Sequence, residues 1–340
     1  MYIFIVGHPG TGKTKTVHCA GGFLRELPEF HLSPTSMTMA SLVDALVEAK
    51  RTIIHMPDPP MEFNSMCIVA DELSAFMHKF EEELIGGLTT FYDVIIPYSQ
   101  NRRGKDLKIK IKRPQLNIIA GTTPSNLIKF VPEFAWDQGF TSRVILVFSD
   151  ERPPVVDMFD EENLKEMPKE MIHDLKVINS LVGRFTIDDG YRNAYNNWRK
   201  LGEPDLPTHP KLTHYCTRRR VHLLKLGMVA SVDRGDNLTL TVTDFNKALG
   251  WLLEAESFMP DIFSAGATGA DGKAMDEILH FVATFPKGVS EHRIVNFARE
   301  RLPIHSVMRV IEVMEKSGMI FSTGQDMKTG LRTFIASPTI

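Results

Sequence analysis

The most chemically informative residues lie near the start of the chain, in a glycine-rich run that ends in a lysine and a threonine. Residues 7–14 read Gly-His-Pro-Gly-Thr-Gly-Lys-Thr and match the pattern GxxxxGK[ST] in full. Glycines let successive backbone N–H groups point at phosphate oxygens, and a helix that begins at Lys13 adds its positive dipole end. The pattern predicts that Lys13 contacts the β- and γ-phosphates of ATP and that the Thr14 hydroxyl ligates Mg²⁺. The expected nucleotide contacts are Gly7, His8, Pro9, Gly10, Thr11, Gly12, Lys13, Thr14 and Lys15.

A second candidate pair follows the apolar run of residues 67–70, where Asp71 and Glu72 are adjacent. We expect this run to be a buried strand that neighbours the first one, so that Asp71 completes the Mg²⁺ shell. Glu72 is then placed to act as the general base that activates the attacking water. Strands often end in acidic turns, so the Asp71–Glu72 pair indicates a catalytic site only because a glycine-rich phosphate loop lies upstream. Adjacent Asp and Glu favour ATP hydrolysis over phosphoryl transfer to a bound hydroxyl.

The elements that must position these residues alternate between strands and helices. Residues 2–6, 66–70, 116–120 and 144–148 are short apolar runs, typical of parallel strands covered on both faces. Helices are expected over 13–24, after residue 36, and through a set of spaced apolar residues, Phe76, Phe80, Leu84 and Leu88. This alternation predicts a three-layer α/β domain with a parallel sheet over residues 1–150.

The rest of the chain divides into two further regions. Residues 151–263 begin with a connector, and residues 150–170 hold eight acidic and three basic residues before the pattern becomes helical. Residues 264–272 are small and glycine-rich, as in a hinge. Residues 273–340 have three helical stretches followed by two strand-like stretches. That order predicts a winged helix-turn-helix.

Composition excludes several classes of protein. The chain has 340 residues, with 39 Lys and Arg against 42 Asp and Glu, so it is neither a wholly basic coat nor an acidic disordered chain. Its three cysteines (Cys19, Cys67 and Cys216) have no zinc-ligand spacing and do not form a disulfide framework. We expect no membrane span or secretion signal, and a reducing, cytoplasmic location fits best.

Several stretches together resemble one protein family. They are residues 33–38 (SPTSMT), 71–73 (DEL), 92–93 (YD), 118–124 (IIAGTTP) and 139–144 (GFTSRV). With the phosphate loop, their order resembles that of the AAA+ ATPases. Within that family the chain is most similar to phage and prophage replicative ATPases of the helicase type, which are primase-associated and related to minichromosome-maintenance proteins. The resemblance covers residues 1–260 and implies a helical lid after the α/β core, and subunits assembled as a hexamer.

The resemblance also assigns roles to individual residues. Thr123, or the adjacent Thr122, falls where the family has a first sensor that positions the lytic water, although asparagine is commoner there. Arg143 falls where the family carries an arginine finger, which would reach the nucleotide of a neighbouring subunit. One arginine of the run Arg218, Arg219 and Arg220 would be the second sensor, and Arg219 is the residue assigned to the nucleotide. The alternative for Arg143 is a surface arginine beside a strand, and for Arg219 a solvated charge run.

Residues 102–113 form a strongly basic run, with seven basic residues and one acidic residue. From residue 106 to 112 polar and apolar residues alternate, which predicts a strand with one cationic face. We expect this run to form a hairpin that contacts the DNA backbone through Arg102, Arg103, Lys105, Lys108, Lys110 and Lys112. The alternative is an edge strand that lysines protect against aggregation.

These observations predict an ATP-hydrolysing motor that acts on DNA in phage or mobile-element replication, as a ring-forming helicase. Single-stranded DNA would pass through a pore, and the winged helix would contact duplex DNA or a protein such as a primase. Two alternatives remain open at the level of sequence. One is an origin-recognition-type initiator or loader, and the other is an ATP-gated signalling switch.

Overall fold

A computed structural model describes residues 1–34, 36–54, 59–77, 82–93, 97–102, 107–132, 135–136, 139–152, 169–235, 238–266, 270–286, 288–299, 302, 304–325 and 332–337. The chain divides into two compact units, Met1–Phe263 and Ser264–Ile340. The first unit contains both the α/β region and the helical region that the sequence pattern separates at residue 150. The acidic connector lies mostly outside the described residues.

The first unit is built on a central sheet. The strands described in this unit are β1 (Tyr2–Val6), β2 (Lys50–Ile53), β3 (Met61–Ala70), β4 (Tyr98–Arg102), β5 (Leu107–Ile111), β6 (Pro114–Thr122), β7 (Val144–Phe148), β8 (Thr186–Ile187) and β9 (Thr239–Leu240). Five of them form one sheet in the order β2-β3-β6-β1-β7. β1 is parallel to β6 and β7, β3 is parallel to β6, and only the edge strand β2 is antiparallel. The predicted α/β fold with a mostly parallel sheet is confirmed.

Helices follow the strands in the pattern expected of an α/β unit. They are α1 (Lys13–Arg25), α2 (Met39–Glu48), α3 (Leu73–Phe76), α4 (Glu82–Tyr92), α5 (Pro124–Phe130), α6 (Lys169–Ser180), α7 (Asp189–Lys200), α8 (Thr213–Cys216), α9 (Arg219–Arg234) and α10 (Val242–Gly266). The single helix expected through Phe76 and Leu88 is described as α3 and α4, and residues 78–81 between them lie outside the described part. A capping box at Thr38 and Ser41 starts α2.

The helical region after residue 169 has a core of its own. Tyr191 and Trp198 of α7 pack with Leu223 of α9 and Phe245 of α10. β8 and β9 pair in parallel beside this core. Because these side chains are buried together, α7, α9 and α10 hold the residues at the start of α9 in fixed positions.

The second unit contains the three helices and the hairpin that the sequence predicts. They are α11 (Ala270–Ala283), α12 (Glu291–Ala298), α13 (Ile304–Lys316), and the strands β10 (Val289–Ser290), β11 (Ile320–Gln325) and β12 (Arg332–Ala336). The strands form an antiparallel sheet in the order β10-β12-β11, which adds one short strand to the expected hairpin. Ile278, Ile294, Ile311 and Phe334 are fully buried in its core.

Within the described ranges, none of the helices has both the length and the apolar character needed to cross a membrane.

Candidate functional site

The phosphate loop follows β1 directly and leads into α1, as its sequence predicts. Gly10 and Gly12 have φ angles of 87° and 83°, a left-handed backbone that glycine adopts without a steric penalty. The loop is tied at one point, where Thr11 donates its backbone N–H and its hydroxyl to the His8 carbonyl. His8, Pro9 and Gly10 are exposed. The loop therefore has the backbone geometry and the accessibility that a phosphate site requires.

Lys13 lies over this loop. Its Nζ donates to the His8 carbonyl at 2.7 Å. Partial burial lowers the pKa of Lys13, and the negative charge of Glu72 opposes that shift. The next two residues, Thr14 and Lys15, are exposed. A phosphate that enters the loop would replace the His8 carbonyl as the partner of the Lys13 ammonium.

The strand that precedes Asp71 is not the neighbour of β1, which corrects the sequence-based expectation. β6 lies between β1 and β3, with Val6 opposite Thr122 and Ala70 opposite Ala120. The polar end of β6 therefore separates the phosphate loop from the Asp71–Glu72 pair. Two strand spacings of about 4.8 Å therefore separate the end of β1 from the end of β3.

Asp71 lies beside α1. Its Oδ2 is 2.6 Å from Nε2 of His18, one helical turn after Thr14, so Thr14 and His18 occupy the same face of α1. Gly121 at the end of β6 lets the backbone of Asp71 pack closely, because a Cβ at that position would lie 2.5 Å from the Asp71 carbonyl oxygen. The Thr14 hydroxyl, one turn before His18 on α1, and the Asp71 carboxylate are both oxygen donors of the kind that Mg²⁺ binds.

The donor set also fits the way Mg²⁺ usually binds. Among the described residues, no group of three or more His, Cys, Asp or Glu side chains could hold a metal by itself. Mg²⁺ is commonly bound by one or two protein oxygens together with substrate phosphates and waters. The Thr14 hydroxyl and the Asp71 carboxylate match that requirement.

Glu72 makes a contact that the sequence analysis missed. Nδ2 of Asn126 donates to Oε1 of Glu72 at 3.4 Å. Asn126 lies in the first turn of α5, where its backbone N–H donates to the hydroxyl of the N-cap residue Thr123. Thr123 lies at the expected edge of the sheet, but it is Asn126 that touches Glu72. The Thr123-Pro124 pair is a recognisable helix start. It would have placed Asn126 in the first turn of α5, close to the carboxyl end of β6.

A cleft opens beside the phosphate loop. Its volume is about 510 Å³, and the end of β7 and the middle of α10 line it through Phe148, Ser149, Asp150, Glu151, Trp251 and Phe258. Ser149 joins it to the loop, since its N–H donates to the Val6 carbonyl. The cleft combines aromatic side chains with carboxylates next to the expected phosphates.

Arg143 lies at the opposite end of the sheet. It precedes β7, and Val144 is opposite Tyr2 in the register with β1, whereas the phosphate loop follows Val6. Four residues of strand separate the two ends, a rise of about 13 Å. The Arg143 side chain is 10% exposed, and its Nη2 lies 2.6 Å from Oδ2 of Asp93. Arg143 therefore cannot reach the phosphates of its own chain, and its role towards a neighbouring subunit remains a prediction.

The assignment of Arg219 to the nucleotide is wrong. Its side chain is fully buried, and its Nε and Nη2 donate to Glu256 at 2.7–3.0 Å. A further nitrogen donates to the Glu203 carbonyl. All of this places the Arg219 guanidinium inside the helical core, where a nucleotide cannot contact it. The neighbouring Arg218 is instead partly exposed and binds Asp93.

The predicted hairpin is described at its two strands, and its turn at residues 103–106 lies outside the described part of the chain. β4 and β5 are antiparallel, with Ser99 opposite Lys110 and Asn101 opposite Lys108. Lys108, Lys110 and Lys112 are exposed, whereas Ile109 and Ile111 are buried. The predicted cationic face is therefore present in β5 and the residue after it. Of the other expected DNA contacts, Arg103 and Lys105 lie outside the described residues, as does the side chain of Arg102.

Comparison with models of known protein families gives no match for this sequence, and comparison with curated proteins gives none either.

Proposed function

We propose that this chain is an ATP-hydrolysing motor of the AAA+ type that acts on DNA, as a ring-forming helicase in phage or mobile-element replication. One observation carries the proposal: the phosphate loop, the Thr14–Asp71 oxygen pair and the Glu72–Asn126 pair lie at the same edge of one parallel sheet. Each of the functions that ATP hydrolysis needs therefore has a side chain at that edge.

The residues would act in distinct steps. Backbone N–H groups of the loop and the Lys13 ammonium hold the β- and γ-phosphates, and the nucleoside occupies the cleft beside Ser149. Thr14 and Asp71 hold Mg²⁺, which neutralises charge that develops on the phosphates. Glu72 accepts the proton of the attacking water, and the Asn126 amide fixes the orientation of its carboxylate.

Hydrolysis would also need a second subunit. Arg143 lies at the amino ends of the strands and cannot meet its own phosphate loop. In a ring, it would supply positive charge to the nucleotide bound by the adjacent copy, as an arginine finger does. This is the reason to propose a homo-oligomer, with a hexamer as its form.

The DNA-binding part of the proposal rests on the hairpin. Lysines two apart on an extended strand share one face at about 7 Å spacing, close to the phosphate repeat of single-stranded DNA. The exposed Lys108, Lys110 and Lys112 have this arrangement. We propose that they contact the backbone of a strand in the central pore.

The second unit supports an alternative function. Its three helices and antiparallel sheet have the order of a winged helix, and we propose that class for it. Its exposed helical face on α13 combines two cations, one carboxylate and two apolar groups, through Met308, Arg309, Glu312, Val313 and Lys316. Such a face suits duplex DNA or a protein such as a primase, as in an initiator or loader that switches state without translocating. A cytoplasmic location suits either function.

The test compares the ATPase rate with and without single-stranded DNA in the wild type and in a Lys108→Ala, Lys110→Ala, Lys112→Ala triple variant. Loss of up to three phosphate contacts should reduce the log–log salt slope of single-strand binding by about two. DNA-stimulated ATPase should fall with it, while the basal rate is retained.

The matched control replaces three exposed lysines outside the hairpin, Lys129, Lys200 and Lys247, and removes the same charge. The control variant should keep both the salt slope and the stimulation. A soluble hairpin variant that binds and responds to DNA like the wild type would reject the motor in favour of the initiator or switch.

A further inference from the structure

Three cations surround one carboxylate at the amino ends of the strands. Asp93 follows α4, and its two oxygens accept from Arg143 at 2.6 Å and from Arg218 at 2.9 Å. The face of the preceding Tyr92 ring receives a third cation, with Lys225 Nζ 3.6 Å from its centroid. We call Tyr92, Asp93, Arg143, Arg218 and Lys225 the Asp93 cluster.

The charges of the Asp93 cluster do not balance. Three cations face one carboxylate, which leaves a surplus of two positive charges in a half-buried place. Burial lowers the pKa of Lys225 to about 8, and the charges of Arg218 and Arg143 act in the same direction against the attraction of Asp93. Among the described residues, the buried Arg143 Nε has no hydrogen-bond partner. Asp93 and the Tyr92 ring, whose centroid lies 3.6–5.9 Å from all three cations, compensate only part of this charge, so these features point to an anionic ligand.

Asp93 also fixes the two arginines relative to each other. Arg143 belongs to the turn before β7. Its Nη1 also donates to the Gly139 carbonyl at 2.7 Å, which holds the side chain against that turn. Arg218 comes from the distant helical region, immediately before α9. Because both guanidiniums donate to one carboxylate, they lie side by side in a single orientation.

The anion must come from another molecule. The Asp93 cluster and the chain's own phosphate loop lie at opposite ends of β1, so the arginines cannot reach their own nucleotide. Arg218 is 26% exposed and Asp93 is 34% exposed, so an anion can reach the cluster from solvent, although the Arg143 side chain keeps only 10% of its surface exposed.

We propose that Asp93 is a positioning residue for hydrolysis between subunits: it holds Arg143 and Arg218 together so that both guanidiniums meet the terminal phosphate bound by a second copy of this chain. The inference rests on the proposed ATPase and adds Arg218 and Asp93 to it. Arg218, and not the buried Arg219, is the arginine of the helical region that faces phosphate.

The test measures ATPase kinetics of Asp93→Asn and Arg218→Gln beside matched controls. Both variants should lower kcat at least about tenfold and leave the KM for ATP within about twofold, because the nucleotide pocket of each subunit is unchanged. Asp93→Glu should recover much of the rate. The controls are Arg220→Gln, which removes the exposed next arginine and its pair with Glu203, and Asp244→Asn, which removes a buried carboxylate paired with Arg234. Both controls should keep the wild-type kcat.

Mixed oligomers separate positioning from a general loss of structure. Asp93→Asn subunits mixed with Lys13→Ala subunits should regain activity, since an intact phosphate loop meets an intact arginine pair at some interfaces. Asp93→Asn mixed with Arg143→Ala should not. If Asp93→Asn fails to fold, Arg218→Gln in the same mixtures gives the same test.

Each contrary result has a clear meaning. An active wild type with unchanged kcat in Arg218→Gln and Asp93→Asn would overturn the inference and leave the ATPase in place. A weakened affinity for single-stranded DNA with unchanged basal hydrolysis would also overturn it, and would make the cluster a nucleic-acid contact. A wild type without ATPase activity at any concentration would reject the proposed function itself.

Discussion

The two ends of the central sheet hold their polar side chains in different ways. At the carboxyl end, each functional group has a single, replaceable partner: Lys13 binds the His8 carbonyl, Asp71 binds His18, and Glu72 accepts a long bond from Asn126. At the amino end, Arg143 is almost completely buried and makes bonds to both Asp93 and the Gly139 carbonyl.

Under the proposed function, the difference follows from what each end would bind. Groups that receive phosphate and a metal ion must exchange their resting partners for the ligand, so single and exposed bonds suit them. Cations that act on the charge of a transition state are most effective when they are already in place, because no reorganisation is then needed. The carboxyl end is therefore built for exchange, and the amino end for fixed orientation.

The largest effects are expected at the carboxyl end. Lys13→Ala should abolish ATP binding, because no other described cation contacts the loop in the way that Lys13 does. Glu72→Gln should keep binding but lower kcat by about 100-fold or more, since the amide cannot accept the proton of the attacking water. Equilibrium titration with a fluorescent ATP analogue and steady-state hydrolysis separate the two steps.

Lys15→Ala is the matched control, since it removes the next, exposed lysine of α1. It should change binding far less than Lys13→Ala does. Wild-type turnover in Glu72→Gln would contradict the assignment of the general base.

A smaller effect is expected when the partner of Glu72 is removed. Asn126→Ala should lower kcat by about tenfold at an unchanged KM, because Glu72 keeps its chemistry but loses the amide that orients it. Ser125→Ala alters the adjacent, exposed position of α5 and should have kcat close to that of the wild type. Equal rates in the two variants would mean that the Asn126–Glu72 bond does not orient the base.

Many features of the two ends of the sheet can be predicted from the sequence, and those that cannot depend on long-range packing. The loop, its strand and its helix are local features, and so is the alternation of Lys108, Ile109 and Lys110 that predicts the hairpin. The order of strands is a long-range property, so the pattern could not show that β6 separates β1 from β3.

The run of arginines at 218–220 shows the same limit. Three adjacent residues of one type point in different directions at the start of a helix, and only packing decides which is buried. Arg219 turns into the helical core, towards Glu256, whereas Arg218 turns towards Asp93. The sequence shows that three arginines open this helix, and only the tertiary structure shows which of them is buried.

The smallest expected effect tests the positive surplus at the amino end. Lys225 is held with a pKa of about 8, below the ordinary value of 10.5 for lysine. Between these values, the unfolded chain binds the proton that the folded chain has lost, so Lys225 makes the folded state more stable as the pH rises from about 8 to 10.5. Below about pH 8 the cost of the buried charge is fully present. As the pH rises, the free energy of unfolding of the wild type should therefore increase relative to that of the Lys225→Met variant.

Urea unfolding at pH 7 and at pH 10.5 measures this gain. The stability advantage of Lys225→Met over the wild type should shrink by about 2 kcal/mol between the two pH values: a fall in pKa from 10.5 to about 8 corresponds to about 3 kcal/mol over this range, and solvent around the half-buried Lys225 screens part of it. All three tryptophans, Trp136, Trp198 and Trp251, lie in the first unit, so their fluorescence reports the unit that contains Lys225. Lys247→Met replaces an exposed lysine of α10, and its difference from the wild type should stay constant. A constant difference for Lys225→Met as well would mean that Asp93 and the Tyr92 ring compensate the Lys225 charge, so that the amino end has no surplus to offer an incoming phosphate.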